Sequence, residues 1–129
     1  MEILNKKIIE DKLAKKNLYF GGEWLLSKFD EIFKVSKNIK VDDYMAFISK
    51  FLEDKDINEL LFFPEDNWSN EKFDGSVIKF RDIEEALDFL DENISFGVYN
   101  YYITNDSMEW FLTVCHEEDI HIHGIKFNI

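Results

Sequence analysis

The sequence predicts an α+β fold, in which N-terminal helices are followed by a C-terminal antiparallel β-meander with one intervening helix. Two observations predict it. Apolar residues recur every three to four positions through residues 1–54, which is the period of a helix with one buried face. From Ser95 onward, short runs of aromatic and β-branched residues are separated by polar turns, which is typical of strands. The length of 129 residues suits a single domain that spans the whole chain.

Three helices are expected in the first part of the chain. The first spans residues 2–16 and the second spans residues 23–35, with two consecutive glycines between them. Asp42 is the expected N-cap of the third helix, which runs to about Asp54. The predicted apolar faces of these helices are Leu4, Ile8, Ile9 and Leu13, then Leu25, Phe29, Ile32 and Phe33, then Tyr44, Phe47, Ile48, Phe51 and Leu52.

The middle of the chain is expected to contain two strands and a fourth helix. The apolar run "ELLFF", which is closed by Pro64, suits a buried strand, and "VIKF" suits another. The stretch "PEDNWSNEKFDGS" between them has the composition of a loop. Asp82 is the expected N-cap of the fourth helix, and Glu85 completes the pattern of a capping box. The residues of this helix that we expect to face the core are Ile83, Ala86, Leu87 and Leu90.

The last third of the chain is expected to form three strands. Their segments are "SFGVYNYYIT", "MEWFLTVC" and "IHIHGIKF", and short polar turns separate them. The segment "MEWFLTVC" is apolar at consecutive positions and therefore on both of its faces, so we expect it to be the central strand of the meander. Trp110 in this segment is expected to be a core residue.

Acidic residues dominate the charge of the chain, whose formal net charge is −12. Residues 1–40 carry nine lysines and six acids, whereas residues 41–129 carry six basic residues and 21 acids. Such a field repels nucleic acids and anionic membranes and attracts a basic partner. A second interpretation is that the acids serve solubility.

The single cysteine, Cys115, excludes an internal disulfide and favours a cytosolic setting. No apolar run approaches the roughly 18 residues that a membrane span needs. The N-terminal segment "MEILNKKIIEDKLAKK" lacks the apolar centre of a signal peptide. These features predict a cytoplasmic protein that does not bind a membrane.

The stretch "TVCHEEDIHIHG" concentrates one cysteine, three histidines and three acids. In a strand, His121 and His123 point to the same face, and their cross-strand neighbours depend on the hairpin register. A loop of two or four residues places His121 opposite Val114. A loop of three residues slips the pairing by one, so that the histidines share a face with Thr113 and Cys115. The sequence leaves both registers open.

We interpret this stretch first as an ordinary hairpin. The alternation in "IHIHG" is typical of a strand with one face in water, which would expose His121 and His123 and bury Ile120 and Ile122. Cys115 would be a small buried hydrophobe.

The alternative is a small metal-dependent enzyme that uses the cluster of His116, His121 and His123. A His-Glu-x-x-His motif and a second cysteine are both missing, and the glycines lack the spacing of a nucleotide-binding loop. We therefore expect no catalytic residue, no metal ligand and no cofactor.

Partner binding is expected from acidic loops and from one tryptophan. Trp68 lies among the acids of "PEDNWSNEKFDG", and an exposed tryptophan in such a setting is typical of a binding hot spot. The alternative is that Trp68 anchors its loop to the core. The predicted partner-binding residues are Glu65, Asp66, Trp68, Glu71, Asp74, Glu117 and Glu118.

The segment "YYITNDSMEWFLTVCHEEDIHIHG" has an aromatic strand, a polar turn, a Trp-centred strand, a His-Glu turn and a final strand that ends in glycine. In this order it resembles the C-terminal part of small immunity proteins from bacterial polymorphic and contact-dependent toxin systems. The likeness covers about the last 35 residues of the chain. It implies a protein that binds and blocks a toxin domain.

Charge and resemblance together favour a cytosolic acidic binding protein that neutralises a basic partner, in its most specific form an immunity protein. Two alternatives remain open. One is the metal-dependent enzyme described above, and the other is a DNA mimic that occupies a nucleic-acid-binding site with its acidic surface.

Overall fold

The computed structural model describes residues 1–19, 25–65, 76–94 and 99–126, which form four helices and seven strands. This confirms the predicted α+β class. In chain order the elements are β1 (Glu2–Asn5), α1 (Lys6–Ala14), α2 (Leu25–Ile32), β2 (Ser36–Lys40), α3 (Tyr44–Asp54), β3 (Leu60–Pro64), β4 (Ser76–Phe80), α4 (Ile83–Asn93), β5 (Tyr101–Thr104), β6 (Phe111–Val114) and β7 (Asp119–His123).

All seven strands join one antiparallel sheet in the order β1-β4-β3-β5-β6-β7-β2. The predicted meander is confirmed as β5-β6-β7, and β6 is its middle strand. The buried run at 60–64 pairs with β5, so the meander continues directly into β3 and β4. The two edge strands, β1 and β2, have no counterpart in the sequence-based expectation. They bring the N-terminal half of the chain to both edges of the sheet.

The N-terminal segment shows the clearest departure from the expected helix at 2–16. Its first residues form β1, where Ile3 pairs with Ile78 of β4. The helix begins only at Lys6, with Asn5 as its N-cap, because the Asn5 side chain accepts a hydrogen bond from the Lys7 N–H at 2.9 Å. Cross-strand pairing therefore overrides the helical spacing at this end, since spacing alone does not reveal a strand partner 70 or more residues away.

Helix α2 ends earlier than its predicted limit at residue 35. It occupies Leu25–Ile32, and residues 23 and 24 lie outside the described part of the chain. Ile32 is 44 % exposed, whereas it was expected to face the core. The chain leaves the helix to enter β2, and the Val35 carbonyl accepts a hydrogen bond from the Gly124 N–H at 2.8 Å.

Aspartates cap the two helices in the middle of the chain. Asp82 accepts hydrogen bonds from the N–H groups of Glu84 and Glu85, which confirms the predicted start of α4. The cap of α3 is Asp43 and not Asp42, because the Asp43 carboxylate accepts from the Ala46 N–H at 3.0 Å. None of the described helices is long and apolar enough to cross a membrane.

Helices α3 and α4 cover one face of the sheet. Trp110, which lies just before β6, is buried in this layer, as expected. The predicted core positions of α4 are confirmed, and Phe89 joins them. Buried residues of this cluster are Ile48, Phe51, Leu52, Leu60, Phe62, Ile78, Phe80, Ala86, Phe89, Leu90, Ile94, Tyr101, Ile103, Trp110, Leu112, Val114, Ile120 and Ile122.

Helices α1 and α2 cover the opposite face with a second cluster. Stacked and edge-on aromatic contacts organise it around Phe29, whose ring lies 4.2 Å from that of Phe111 and 5.6 Å from that of Tyr102. Its buried residues are Ile9, Leu13, Leu18, Leu25, Phe29, Leu61, Phe63, Val77, Tyr102, Met108 and Phe111. The sheet therefore has a helical layer on each side, and its inner strands are apolar on both faces.

Candidate functional site

The hairpin between β6 and β7 has a three-residue loop at 116–118. Thr113 pairs with His121, and the Cys115 N–H donates to the Asp119 carbonyl at 2.8 Å. The last loop residue has a φ of 62°, as a three-residue hairpin loop requires. Of the two registers that the sequence leaves open, the structure has the one in which the histidines share a face with Thr113 and Cys115.

His123 is buried on this face, and only 1 % of its surface is exposed. Its ring lies 5.6 Å from the ring of Phe29 and 6.0 Å from that of Phe33, and its Nε2 lies 2.7 Å from Asp30 Oδ1. The expectation of two solvent-facing histidines is wrong for His123, because α2 covers this face and β2 extends the sheet beyond β7. His121 is partly buried. The two isoleucines of β7 are buried on the opposite face, as expected.

Burial lowers the pKa of His123, although the neighbouring Asp30 carboxylate acts in the opposite direction. The ring of His121 stacks beside it, with the two centroids 6.4 Å apart and nearly parallel planes. The side chains of Asp119, His121 and His123 therefore form a polar row along one face of β7, which we call the polar column.

Cys115, Asp119 and His121 come together at the end of this column nearest the loop, and we call them the hairpin group. One ligand atom from each residue lies within 4.8 Å of the others. His121 Nε2 is 3.3 Å from Asp119 Oδ1. Within the described residues, this is the group of three or more histidine, cysteine and acidic side chains whose geometry could hold a metal ion.

The hairpin group has an unusual electrostatic setting. Burial raises the pKa of the Cys115 thiol to about 11. Burial also acts to raise the pKa of Asp119, but the hydrogen bond with Cys115 and the charges of His121 and Lys40 hold it below its usual range. Asp119 is thus a buried carboxylate that keeps its charge, and Lys40 Nζ lies 3.7 Å from its Oδ2.

Three buried polar atoms on this face have no hydrogen-bond partner in the described part of the chain. They are Thr113 Oγ1, Asp119 Oδ1 and His123 Nδ1. Buried polar atoms are paired in the great majority of cases, so three unpaired atoms on one face of two adjacent strands call for an explanation. A buried water or ion between them would provide one.

His116 contacts the hairpin group through Cys115, whose Sγ lies 3.6 Å from the His116 Nδ1. The His116 backbone N–H donates to Asn100 Oδ1 at 2.8 Å, and its ring Nδ1 lies 2.8 Å from the same oxygen. The structure therefore does not bring His116 together with His121 and His123 as one group of ligands. A metal site that uses all three histidines is thus not formed.

Among the predicted partner-binding residues, Glu65 is half-buried and makes hydrogen bonds inside the protein. Its carboxylate accepts hydrogen bonds from the Tyr102 hydroxyl and, at 3.2 Å, from the Leu25 N–H at the start of α2. Burial and this carboxylate both raise the pKa of Tyr102. Glu65 thus connects β5 with the beginning of α2.

Glu117 and Glu118 are exposed in the hairpin loop, where a partner could reach them. The Glu117 carbonyl accepts from Lys40 Nζ at 3.2 Å, which ties the loop to the edge strand β2. The other predicted partner-binding residues, Asp66, Trp68, Glu71 and Asp74, lie outside the described residues.

The two helical layers carry opposite charge. The segments 42–56 and 81–92, which contain α3 and α4, hold eleven acids and three basic residues. The segments 6–16 and 25–34, which contain α1 and α2, hold seven lysines and four acids. All eleven acids of the first layer are exposed, and we call them the acidic face. They are Asp42, Asp43, Glu53, Asp54, Asp56, Asp82, Glu84, Glu85, Asp88, Asp91 and Glu92.

Sequence reasoning missed several residues that shape this part of the molecule. From the sequence alone, Asp119 counts only among the three acids of "TVCHEEDIHIHG", although it alternates with His121 and His123 and therefore shares their face. Asp30 and Asn100 carried no signal, because their contacts with His123 and His116 span 93 and 16 positions.

Comparison with known proteins adds no assignment. No protein-family model, no curated protein and no solved structure matches this chain. The resemblance to immunity proteins therefore stays a hypothesis that rests on the pattern of the C-terminal strands.

Proposed function

We propose that this is an acidic binding protein that neutralises a basic partner protein by stoichiometric binding, and that it acts in the cytoplasm. In its most specific form the proposal is an immunity protein that blocks a toxin domain. The observation that carries it is the segregation of charge, which concentrates eleven exposed acids on the α3–α4 side of the sheet. A field of one sign on one surface orients an oppositely charged partner before contact.

Helix α4 contributes only negative charge to this field. Its eleven residues include five acids and no basic residue, and all five acids are exposed. Their positions follow the solvent side of the helix, because Ala86, Phe89 and Leu90 occupy the side that packs on the sheet. A basic surface could therefore approach α4 along its length without meeting a cation of that helix.

Aromatic residues border the acidic face. Tyr44 and Tyr99 are partly exposed, and both lie next to the buried Tyr101, with the rings of Tyr99 and Tyr101 6.2 Å apart. Burial raises the pKa of Tyr44, and the charge of Asp91 on α4 adds to this effect. Aromatic residues are enriched in protein interfaces, so Tyr44 and Tyr99 can supply apolar contact at the border of the acidic face.

The test first asks whether a gene adjacent to this one encodes a basic protein. That product is then used as the partner, with association followed by stopped-flow fluorescence. The triple variant Asp88→Lys, Asp91→Lys, Glu92→Lys reverses charge on the acidic face. Its control, Glu10→Lys, Asp11→Lys, Glu31→Lys, makes the same change of net charge on the opposite layer. We expect the first variant to lower the on-rate by at least about tenfold at low salt, and the control to lower it much less.

Salt provides an independent measurement. The Debye length falls from about 30 Å at 0.01 M to about 10 Å at 0.1 M, so the on-rate of the unmodified protein should fall over this range while the off-rate changes less. An on-rate that does not depend on salt concentration would contradict the proposal. So would an on-rate that falls equally in both triple variants. Duplex DNA that competes for the partner would identify the blocked surface as a nucleic-acid site, as a DNA mimic requires.

A further inference from the structure

We propose that Cys115, Asp119 and His121 bind one zinc ion through the cysteine sulfur, one carboxylate oxygen and an imidazole nitrogen. This inference concerns a different part of the molecule from the acidic face, and it goes beyond the proposed function without depending on it. It also replaces the sequence-based metal hypothesis, which grouped His121 with the other two histidines.

The nitrogen–oxygen edge of the hairpin group fits a tetrahedral ion. Nitrogen and oxygen ligands lie about 2.0–2.1 Å from zinc, so two such ligands are about 3.3–3.4 Å apart along one edge of the tetrahedron. His121 Nε2 and Asp119 Oδ1 are 3.3 Å apart. The Cys115 sulfur completes the triangle, with all three atoms within 4.8 Å of one another. Longer Zn–S bonds of about 2.3 Å widen the two edges that meet at sulfur.

The Asp119 carboxylate also supports a bound cation. The Asp119 side chain is 4 % exposed, and within the described residues its Oδ1 accepts no hydrogen bond of good geometry, although His121 Nε2 lies 3.3 Å away. The other oxygen, Oδ2, faces Lys40 Nζ at 3.7 Å. A buried carboxylate oxygen that faces an imidazole nitrogen and a thiol can act as a ligand of a cation. Leaving such an oxygen without a partner is costly.

The backbone around the hairpin group holds the three ligands in place. Cys115 and Asp119 close the hairpin loop through the hydrogen bond between their main chains, and His121 lies two residues farther along β7. Ligands held on a regular hairpin lose little conformational freedom when a metal binds. Thr113 is directly opposite His121, and its hydroxyl, which has no hydrogen-bond partner among the described residues, is a neighbouring polar atom.

The donor set selects the metal. A thiolate, an imidazole and a carboxylate suit zinc, whereas calcium and magnesium prefer oxygen ligands alone. The thiol of Cys115 releases its proton to the solvent as the Zn–S bond forms. The two negative ligands then balance the two positive charges of the ion, so the buried site becomes neutral overall. Three protein ligands leave a fourth position for water.

The first test needs no variant. Chelator-treated protein, freed of chelator under reducing conditions, is titrated with Co²⁺ as a spectroscopic probe and then with Zn²⁺ by calorimetry. We expect one ion per chain, a zinc dissociation constant on the order of 1 µM or tighter, and a thiolate-to-cobalt charge-transfer band with tetrahedral visible bands. Cys115 is the only cysteine of the chain, so this band assigns the sulfur ligand directly.

The second test compares His121→Gln with His116→Gln. The two variants remove one histidine each from the same hairpin, but only the first removes a proposed ligand. We expect His121→Gln and Cys115→Ser to weaken zinc binding by more than about 100-fold, since changes even in the outer shell of a metal site cost about 10–100-fold. His116 Nδ1 lies 3.6 Å from Cys115 Sγ without being a proposed ligand, so His116→Gln should weaken zinc binding by no more than about 10-fold. Zinc should also raise the melting temperature of the unmodified protein and of His116→Gln, but not that of His121→Gln.

Two results with the unmodified protein would overturn the proposal, whatever the fold of the variants. One is a cobalt complex of the unmodified protein without a thiolate charge-transfer band. The other is a zinc stoichiometry well below one per chain at micromolar concentrations. Loss of zinc binding in His116→Gln, with binding retained in His121→Gln, would place the metal elsewhere and would equally exclude this site.

Discussion

His123 Nε2 lies 2.7 Å from Asp30 Oδ1, and this contact joins β7 to α2 across 93 positions of the chain. A carboxylate only accepts hydrogen bonds, so the ring nitrogen is the donor. His123 is buried while Asp30 is 60 % exposed, which makes Asp30 the partner that reaches in from solvent. The pair helps to hold α2 over the polar column of the hairpin.

Replacing Asp30 with alanine should destabilise the protein by about 1–3 kcal/mol, because a buried ring N–H loses its acceptor. Urea unfolding at neutral pH measures the change. Glu31→Ala is the matched control, since Glu31 is exposed on the same helix, and we expect it to stay within about 0.5 kcal/mol of the unmodified protein. Equal stabilities of Asp30→Ala and Glu31→Ala would show that the contact contributes nothing.

Glu118 adopts a φ of 62°, a left-handed conformation that is unfavourable for a residue with a side chain. Glu118→Gly should therefore raise the free energy of unfolding by up to about 1 kcal/mol. Glu117→Gly, one position earlier in the same loop, should lower it or leave it unchanged, because Glu117 does not have a positive φ. Thermal unfolding of the two variants checks this, and stabilisation by both would point to loop charge rather than backbone strain.

Gly124 ends β7 at a position where no side chain fits. Its φ is 82°, and a Cβ there would lie 2.1 Å from the Glu109 carbonyl oxygen. The same residue donates its N–H to the Val35 carbonyl at 2.8 Å, so the backbone cannot move away without losing that bond. Gly124→Ala should cost at least about 2 kcal/mol in urea unfolding, whereas Lys126→Ala, an exposed neighbour, should be nearly neutral. An alanine variant as stable as the unmodified protein would disprove this crowding.

The ion cluster of Lys79, Glu59 and Asp106 should make the stability of the protein depend on pH in the acidic range. Lys79 Nζ lies 2.9 Å from Asp106 Oδ2 and 3.0 Å from Glu59 Oε1. The hydrogen bond from Lys79 lowers the pKa of Asp106, so its contribution is present above the unfolded value of about 3.9 and is lost as the pH falls through the folded pKa.

Asp106→Asn should accordingly be less stable than the unmodified protein near pH 6, by no more than about 1 kcal/mol because Asp106 is half exposed. The difference should shrink as the pH falls below about 4. Urea midpoints from pH 3 to pH 6 measure it, with Asp11→Asn as an exposed control on α1. A constant difference over this range would show that the carboxylate charge of Asp106 is not responsible.

Local interactions explain the features that the sequence predicts correctly. The start of α4 depends on Asp82 and the N–H groups two and three residues later, and its core side follows from helical spacing. The meander follows from three apolar segments with short polar turns between them, because strands that are neighbours in the chain tend to pair. These features need only residues that are close in sequence.

Long-range packing decided the rest. Strands β1 and β2 exist because β4 and β7 supply their partners from distant parts of the chain, and neither partner is visible in a local pattern. The burial of His123 depends on α2, which covers a face that the alternation of β7 alone marks as polar. The hairpin group depends on a single residue of register, because a slip by one would turn Cys115 to the opposite side from His121. The sequence by itself determined the class of the fold and the composition of this hairpin. Only the tertiary structure decided which of its polar side chains meet, since that depends on contacts between segments that the chain brings together from far apart.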